Sequence, residues 1–310
     1  MASSRILDVG TTSYLDGAPP FLSEIIPCHG GFWACESFFP RVFLISRDFK
    51  IQRFDFHDGS WASNLVSVAD GSLYCVLKVP DPPTTPRAYL GRISTRGEFS
   101  RVHSPNGQQL SSIARLGLDQ IVATQPGAPD FFVSRGDNLE RLSNLSGASG
   151  EPVYLTTASD GSLWYVRTGQ PAKLGRLDHF GRCTETSLVI NGKPFEVDQP
   201  VAYVHGSILI PSGNGSDKEI CIARPVGSGI KASVISDGDF ALRTGTFDTK
   251  HRLWFYDDSS RLSVASIDPL ERIAVSSNIT PIGSRFQVLA PDGSGVIALA
   301  GASAKRYALV

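Results

Sequence analysis

The chain has 310 residues, 41% of them apolar and 19% charged, with a net charge of −1. That balance suits a folded protein, and a charge this close to zero gives no electrostatic footprint for nucleic acid or an anionic membrane. No apolar run reaches the roughly 18 residues that mark a membrane-spanning helix, and 30 Gly and 20 Pro against a single Met favour short strands and tight turns over long helices.

In chain order, the first strand-like run is RILDVG, which has no repeat unit of its own. GGFWACES from Gly30 and RVFLISRDFKIQRF from Arg41 follow as a second and third strand. The same pair returns as DGSLYCV from Asp70 with YLGRISTRGEF from Tyr89, and more weakly as LDQIVAT around Ile121. The fullest copy is PVYLTTASDGSLWYVR, then KLGRL, then the outer run TETSLVI. GSILIPSG around Leu209, KHRLWFYDD from Lys250 with RLSVASIDPLER, and DGSGVIALA around Ile297 complete the series.

The second-strand centres are Trp33, Tyr74, Ile121, Trp164, Leu209, Trp254 and Ile297, spaced by 41 to 47 residues. A period in the low forties with several strands per copy is the signature of a propeller blade. The sequence therefore predicts an all-β fold, a seven-bladed β-propeller of four-stranded antiparallel blades in one domain over residues 1–310. One blade cannot bury both faces of its sheet, so the units stack in a closed ring. Within a unit, the first strand lines the centre and Asp-Gly makes the tight turn. The second strand places a large aromatic between sheets, and the third carries a Gly where the neighbouring backbone comes close. The last unit ends early, at RYALV, so residues 1–10 are expected to complete it as its outermost strand.

The unit EPVYLTTASDGSLWYVR…AKLGRLDHFGRCTE resembles the repeat of the streptogramin B lyase (virginiamycin B lyase) family, which runs roughly P-H-x-I, then D-G-x-L-W-F-T-E, then N-K-I-G-R-I. The resemblance implies a site in the funnel on one face of the ring. There a His at the P-H position and the Glu ending L-W-F-T-E would serve a metal and move a proton during ring-opening elimination. Here the P-H position holds Ser63, Val153, Val201 and Arg243, and the Glu position holds Glu36, Leu77, Arg167, Ser212, Asp257 and Ala300. No unit carries His and Glu together. The retained residues imply no organic cofactor, and they give no support to a divalent metal.

By position, the expected catalytic residues are Glu36, Asp257, Arg243 and Arg167. Glu36 can act as a general base or a cation ligand, or pair with Arg41 or Arg167. Arg243 and Asp257, 14 residues apart, can orient an anionic or carbonyl group or form a salt bridge within one blade. Arg167 suits a substrate carboxylate or phenolate, or a paired structural role. Phe21, Trp61, Ser63, Tyr154, Arg285 and Phe286 are the expected substrate-binding residues; for the aromatics the alternative is blade-to-blade packing. His29, His179 and His205 fall in turns. Cys35 and Cys75 lie on second strands without a basic neighbour, and read as core. The five cysteines are scattered and form no CxxC pair.

The functional expectation is an enzyme of lyase, cyclase or isomerase type acting on a specialised cyclic peptide-like or polyketide-like metabolite. The alternative is a non-catalytic module binding a protein, glycan or small ligand. The N-terminus lacks the apolar core of a signal peptide, so a cytoplasmic monomer is expected, with a small-molecule substrate and neither nucleic acid nor membrane as partner.

Overall fold

The computed structural model describes residues 6–13, 22–48, 50–79, 87–102, 109–142, 150–190, 192–195, 197, 201–204, 206–212, 219–226, 229–236, 245–256, 261–267, 270–276, 288–300 and 303–310. These residues form seven four-stranded antiparallel sheets, the blades of a seven-bladed β-propeller, and one short hairpin, Val189–Ile190 with Lys193–Pro194. Blade four has strands Pro152–Thr157, Leu163–Arg167, Lys173–Leu177 and Cys183–Ser187, paired in that order. The seventh sheet pairs Val288–Asp292, Gly295–Ala300 and Ser303–Leu309, and adds Ile6–Ser13 at its edge. That N-terminal strand runs antiparallel to Ser303–Leu309, from Ile6 opposite Leu309 to Ser13 opposite Ser303. The predicted closing strand is therefore present, and it reaches three residues further than RILDVG.

The blades fall into two compact units, one with blades one, six and seven and the other with blades two to five. In the second unit the first strands of successive blades meet one another, which makes the first strand the inner one. The core lies between the sheets. Period-two alternation on Leu163–Arg167 sends Leu163 and Tyr165 toward blade three, against Leu116, Val122 and Phe131. Trp164 and Val166 pack the other way, against Val201, Ile208 and Ile210 of blade five. Trp33 and Trp254 are completely buried, as expected for second-strand aromatics.

Two repeated details have physical causes that the sequence reading did not supply. The first is the third-strand glycine. It does not make room for a neighbouring backbone. Gly175 stands opposite Tyr165 in the ladder, and the Tyr165 ring lies flat over it: a Cβ built at Gly175 would sit 2.2 Å from the Tyr165 Cζ. In blade two the Leu77 side chain does the same over Gly91. Gly175→Val is expected to lose about 2–4 kcal/mol, because the ring must leave its place. Urea unfolding of the variant checks this, and a loss below about 0.5 kcal/mol would show that the ring has somewhere else to go.

The second detail is the arginine that follows this glycine. Asp160 Oδ1 accepts from the Ser162 backbone N–H (2.9 Å) and Oγ (2.6 Å), which fixes the Asp-Gly-Ser turn. Its Oδ2 accepts from Arg176 Nη2 at 2.6 Å, and the guanidinium lies 6.0 Å from the Trp164 ring centre. Asp70, Arg92 and Tyr74 repeat the arrangement in blade two. Each such blade ties its first turn to its third strand across its own aromatic. In blade six the carboxylate of Asp248 is instead buried, and it also accepts the Trp254 indole N–H at 2.9 Å.

Candidate functional site

The inner strands are irregular where the resemblance places its P-H position. In blade two the register slips between Ser63 and Val66, and in blade four between Val153 and Thr156. Each slip is a β-bulge, and each holds a non-glycine residue in the left-handed region: Asn64 at φ 52° and Tyr154 at φ 54°. A tyrosine in that conformation is strained and persists only where its surroundings hold it. Bulges re-aim side chains from the inner strand. The Asn64 amide is turned toward blade three, where Nδ2 approaches the Ser111 carbonyl at 3.4 Å. Tyr154 packs against the blade four–five core beside Val153 and Tyr203.

Trp61, Ser63 and Tyr154, the expected substrate-binding residues that the structure describes, thus lie on the inner strands of blades two and four and are partly buried. Phe21, Arg285 and Phe286 lie outside the described residues, as do Arg243 and Asp257.

Glu36 and Arg167 occupy the same place in their blades, the last residue of the second strand. The structure turns both side chains sideways, between blades, and buries both completely. Glu36 accepts from Arg41 Nε, and that guanidinium lies 5.2 Å from the Phe39 ring centre and 5.8 Å from that of Phe43. The pairing with Arg41 is one of the two alternatives the sequence raises for Glu36. Leu77, aligned with Glu36 and Arg167 in blade two but two residues before its strand ends, is buried core. Thr124 ends the second strand of blade three with the opposite facing; it is buried and shares a 2.8 Å hydrogen bond with Ser111, just before the inner strand.

Arg167 is held by five groups. Its Nε donates to Glu185 Oε1 at 2.6 Å, and its Nη1 donates to the carbonyls of Pro129 and Gly150, each at 2.8 Å. The guanidinium carbon lies 5.8 Å and 5.5 Å from the ring centres of Phe131 and Tyr165, which meet edge to face. Glu185 also accepts the Tyr165 hydroxyl at 2.9 Å and lies 3.6 Å from Lys173 Nζ. Burial works against ionising Glu185, but the hydrogen bonds from Arg167 and Tyr165 and the charges of Arg167 and Lys173 outweigh it. The carboxyl is held below its usual range.

Sequence reasoning missed Glu185. The signal was available in the ladder: Tyr165, Gly175 and Glu185 are direct neighbours across three strands, so the tyrosine that covers the glycine reaches the glutamate.

The chemistry of these groups follows from their surroundings. Burial pushes the Cys35 thiol up to about 12, with the charges of Glu24 and Glu36 adding to the effect, so it is no nucleophile near neutral pH. Among the described residues no three His, Cys, Asp or Glu side chains come together to hold a metal ion. Glu36 is engaged by Arg41, and Arg167 sets a cation where the lyase repeat has a carboxylate. These residues do not fit the lyase metal.

No protein-family model matches the chain, and no curated protein matches it. Solved structures do. A catalytically inactive His-to-Ala variant of virginiamycin B lyase from Staphylococcus aureus with quinupristin superposes at a TM-score of 0.68 and 16% identity, covering 99% of this chain and 100% of that one. A streptogramin B lyase structure matches at 0.68 and 15%, covering 99% and 98%. YCF48 bound to a D1 peptide matches at 0.62 and 11%, covering 99% and 96%. The chain is built on the same propeller fold as the streptogramin B lyases, a fold that proteins of other kinds also use.

Proposed function

We propose that the chain is a binding propeller for a small metabolite, which meets the inner strands of blades two to four. The observation that carries this reading is the state of Glu36 and Arg167. Both stand where the lyase repeat keeps its glutamate, and both are sealed from solvent in ion pairs. A group that takes and returns a proton needs access to its substrate, and neither side chain has it. The bulged inner strand of blade two, by contrast, carries Trp61, Ser63 and Asn64 within four residues, an aromatic side chain and two hydrogen-bonding ones that are partly buried. The molecule acts as a cytoplasmic monomer on this reading.

A second reading, a lyase, cyclase or isomerase of cyclic peptide-like or polyketide-like metabolites, is favoured by the full-length likeness to virginiamycin B lyase. Arg243 and Asp257 would then carry the chemistry, Asp257 moving the proton and Arg243 stabilising the developing oxyanion.

Incubation with a cyclic depsipeptide such as quinupristin, followed by calorimetry and mass spectrometry, separates the two. Binding without any change in mass or chromatographic mobility, weakened at least about tenfold (~1.4 kcal/mol) by Asn64→Leu, is the expected result. A linearised or rearranged product that disappears in Asp257→Asn would establish the enzyme instead. If no compound of a broader metabolite panel binds, or if Asn64→Leu binds as well as the parent chain, the inner-strand site is wrong.

A further inference from the structure

Arg167 has more donors than the structure gives it acceptors. Nε and Nη1 are satisfied as described, by one carboxylate and two carbonyls. Nη2 is fully buried and has no hydrogen-bond partner. The carboxylates next along the chain from those two carbonyls are engaged elsewhere: Asp130 accepts from Arg141 Nη2 at 2.9 Å, and Glu151 accepts the Gly127 N–H at 2.8 Å. The local charge is also out of balance. Among the described residues Glu185 is the one carboxylate paired with both Arg167 and Lys173, so the cluster carries two positive charges and one negative. A buried charged donor without an acceptor is among the costlier arrangements in a protein interior. Water can accept the two N–H bonds, but only an anion also restores the charge balance.

We propose that the Nη2 end of Arg167 is a binding site for a small monovalent anion, either a halide or a carboxylate group. The site lies at the interface of blades three and four, and the edge-to-face pair of Phe131 and Tyr165 forms the floor under the guanidinium. The aromatic floor and the two carbonyls fix the plane of the fork, which leaves its Nη2 end with one direction in which to donate.

The test uses the whole chain. Crystals soaked in sodium bromide are expected to show an anomalous peak at hydrogen-bond distance from Nη2. In solution, thermal unfolding at constant ionic strength compares chloride, acetate and the bulkier gluconate. The midpoint should rise saturably by about 2 °C or more over the gluconate value. A rise in chloride alone identifies a halide site, and a rise in acetate identifies one for carboxylates. Arg167→Lys keeps the charge but lacks Nη2, and should lose the anion dependence. If that variant does not fold, the bromide peak in the parent protein decides. Water density at Nη2 with no anion-dependent midpoint overturns the proposal, and so does an anion effect that survives in Arg167→Lys.

Discussion

Glu185→Gln should cost about 3 kcal/mol at pH 7, the scale expected when a buried charge loses its counter-charge. The glutamine side chain keeps the shape but leaves the completely buried Arg167 without a carboxylate. The pH dependence gives the effect its signature. The Glu185 carboxyl is held below its usual range in the folded protein, so its contribution is fully present above the unfolded value of about 4.3 and is lost as pH falls through the folded value. Denaturant unfolding at pH 7 and again near pH 3 should show the gap between parent and variant closing. A gap that stays constant with pH, or that is below about 1 kcal/mol at pH 7, would mean that the pair is not what holds this interface. A companion variant sharpens the point. Arg167→Met with Glu185→Leu removes both charges and places apolar side chains beside Phe131 and Tyr165. It should recover most of the lost stability, as apolar replacements of buried ion pairs often do.

Removing residues 1–13 should be more damaging still. The deletion strips the Ile6–Ser13 strand from the Ser303–Leu309 strand, and takes away Ile6, which packs on the blade six–seven core beside Tyr307 and Val296. A ladder of seven residue pairs and part of an apolar face are lost together, worth about 4 kcal/mol or more. The newly bared edge presents unpaired N–H and C=O groups to other molecules, so the truncated chain should also aggregate. Calorimetry and light scattering read both effects. A synthetic peptide spanning residues 1–13 should rescue the truncated chain by adding back the missing strand. A truncated chain that melts within about 2 °C of the parent would show that blade seven stands on three strands.

The repeat was legible because it is written in bulk. Trp33, Tyr74, Trp164 and Trp254 recur at a near-constant period, and a large aromatic between sheets is needed in each strong copy. The closing strand was legible because RILDVG had no unit of its own. The candidate site was not read as well. Glu36, Arg167, Ser212 and Ala300 do end their second strands, but a row says nothing about where a side chain turns. Alternation held part of the answer. Arg167 has the parity of Leu163 and Tyr165, and a face that carries those two packs against the next sheet. What alternation lacks is the partner, because Glu185 sits two strands away and pairing register is not visible in a single chain. The bulges at Asn64 and Tyr154 were hidden for another reason: left-handed backbone is signalled by glycine, and neither residue is one.

The pairing of Ile6 with Leu309 also sets an order of events in the cell. The Ile6–Ser13 strand leaves the ribosome long before it can find its place, because its partner, Ser303–Leu309, is made much later. At roughly 5–20 residues per second that delay is on the order of 15–60 s. For that whole interval the strand is an unpaired β-segment on a half-made protein, open to capture by a chaperone or by the same segment of a neighbouring nascent chain. Polysomes would be the place where this protein first misassembles, and slowing translation would worsen its yield rather than improve it.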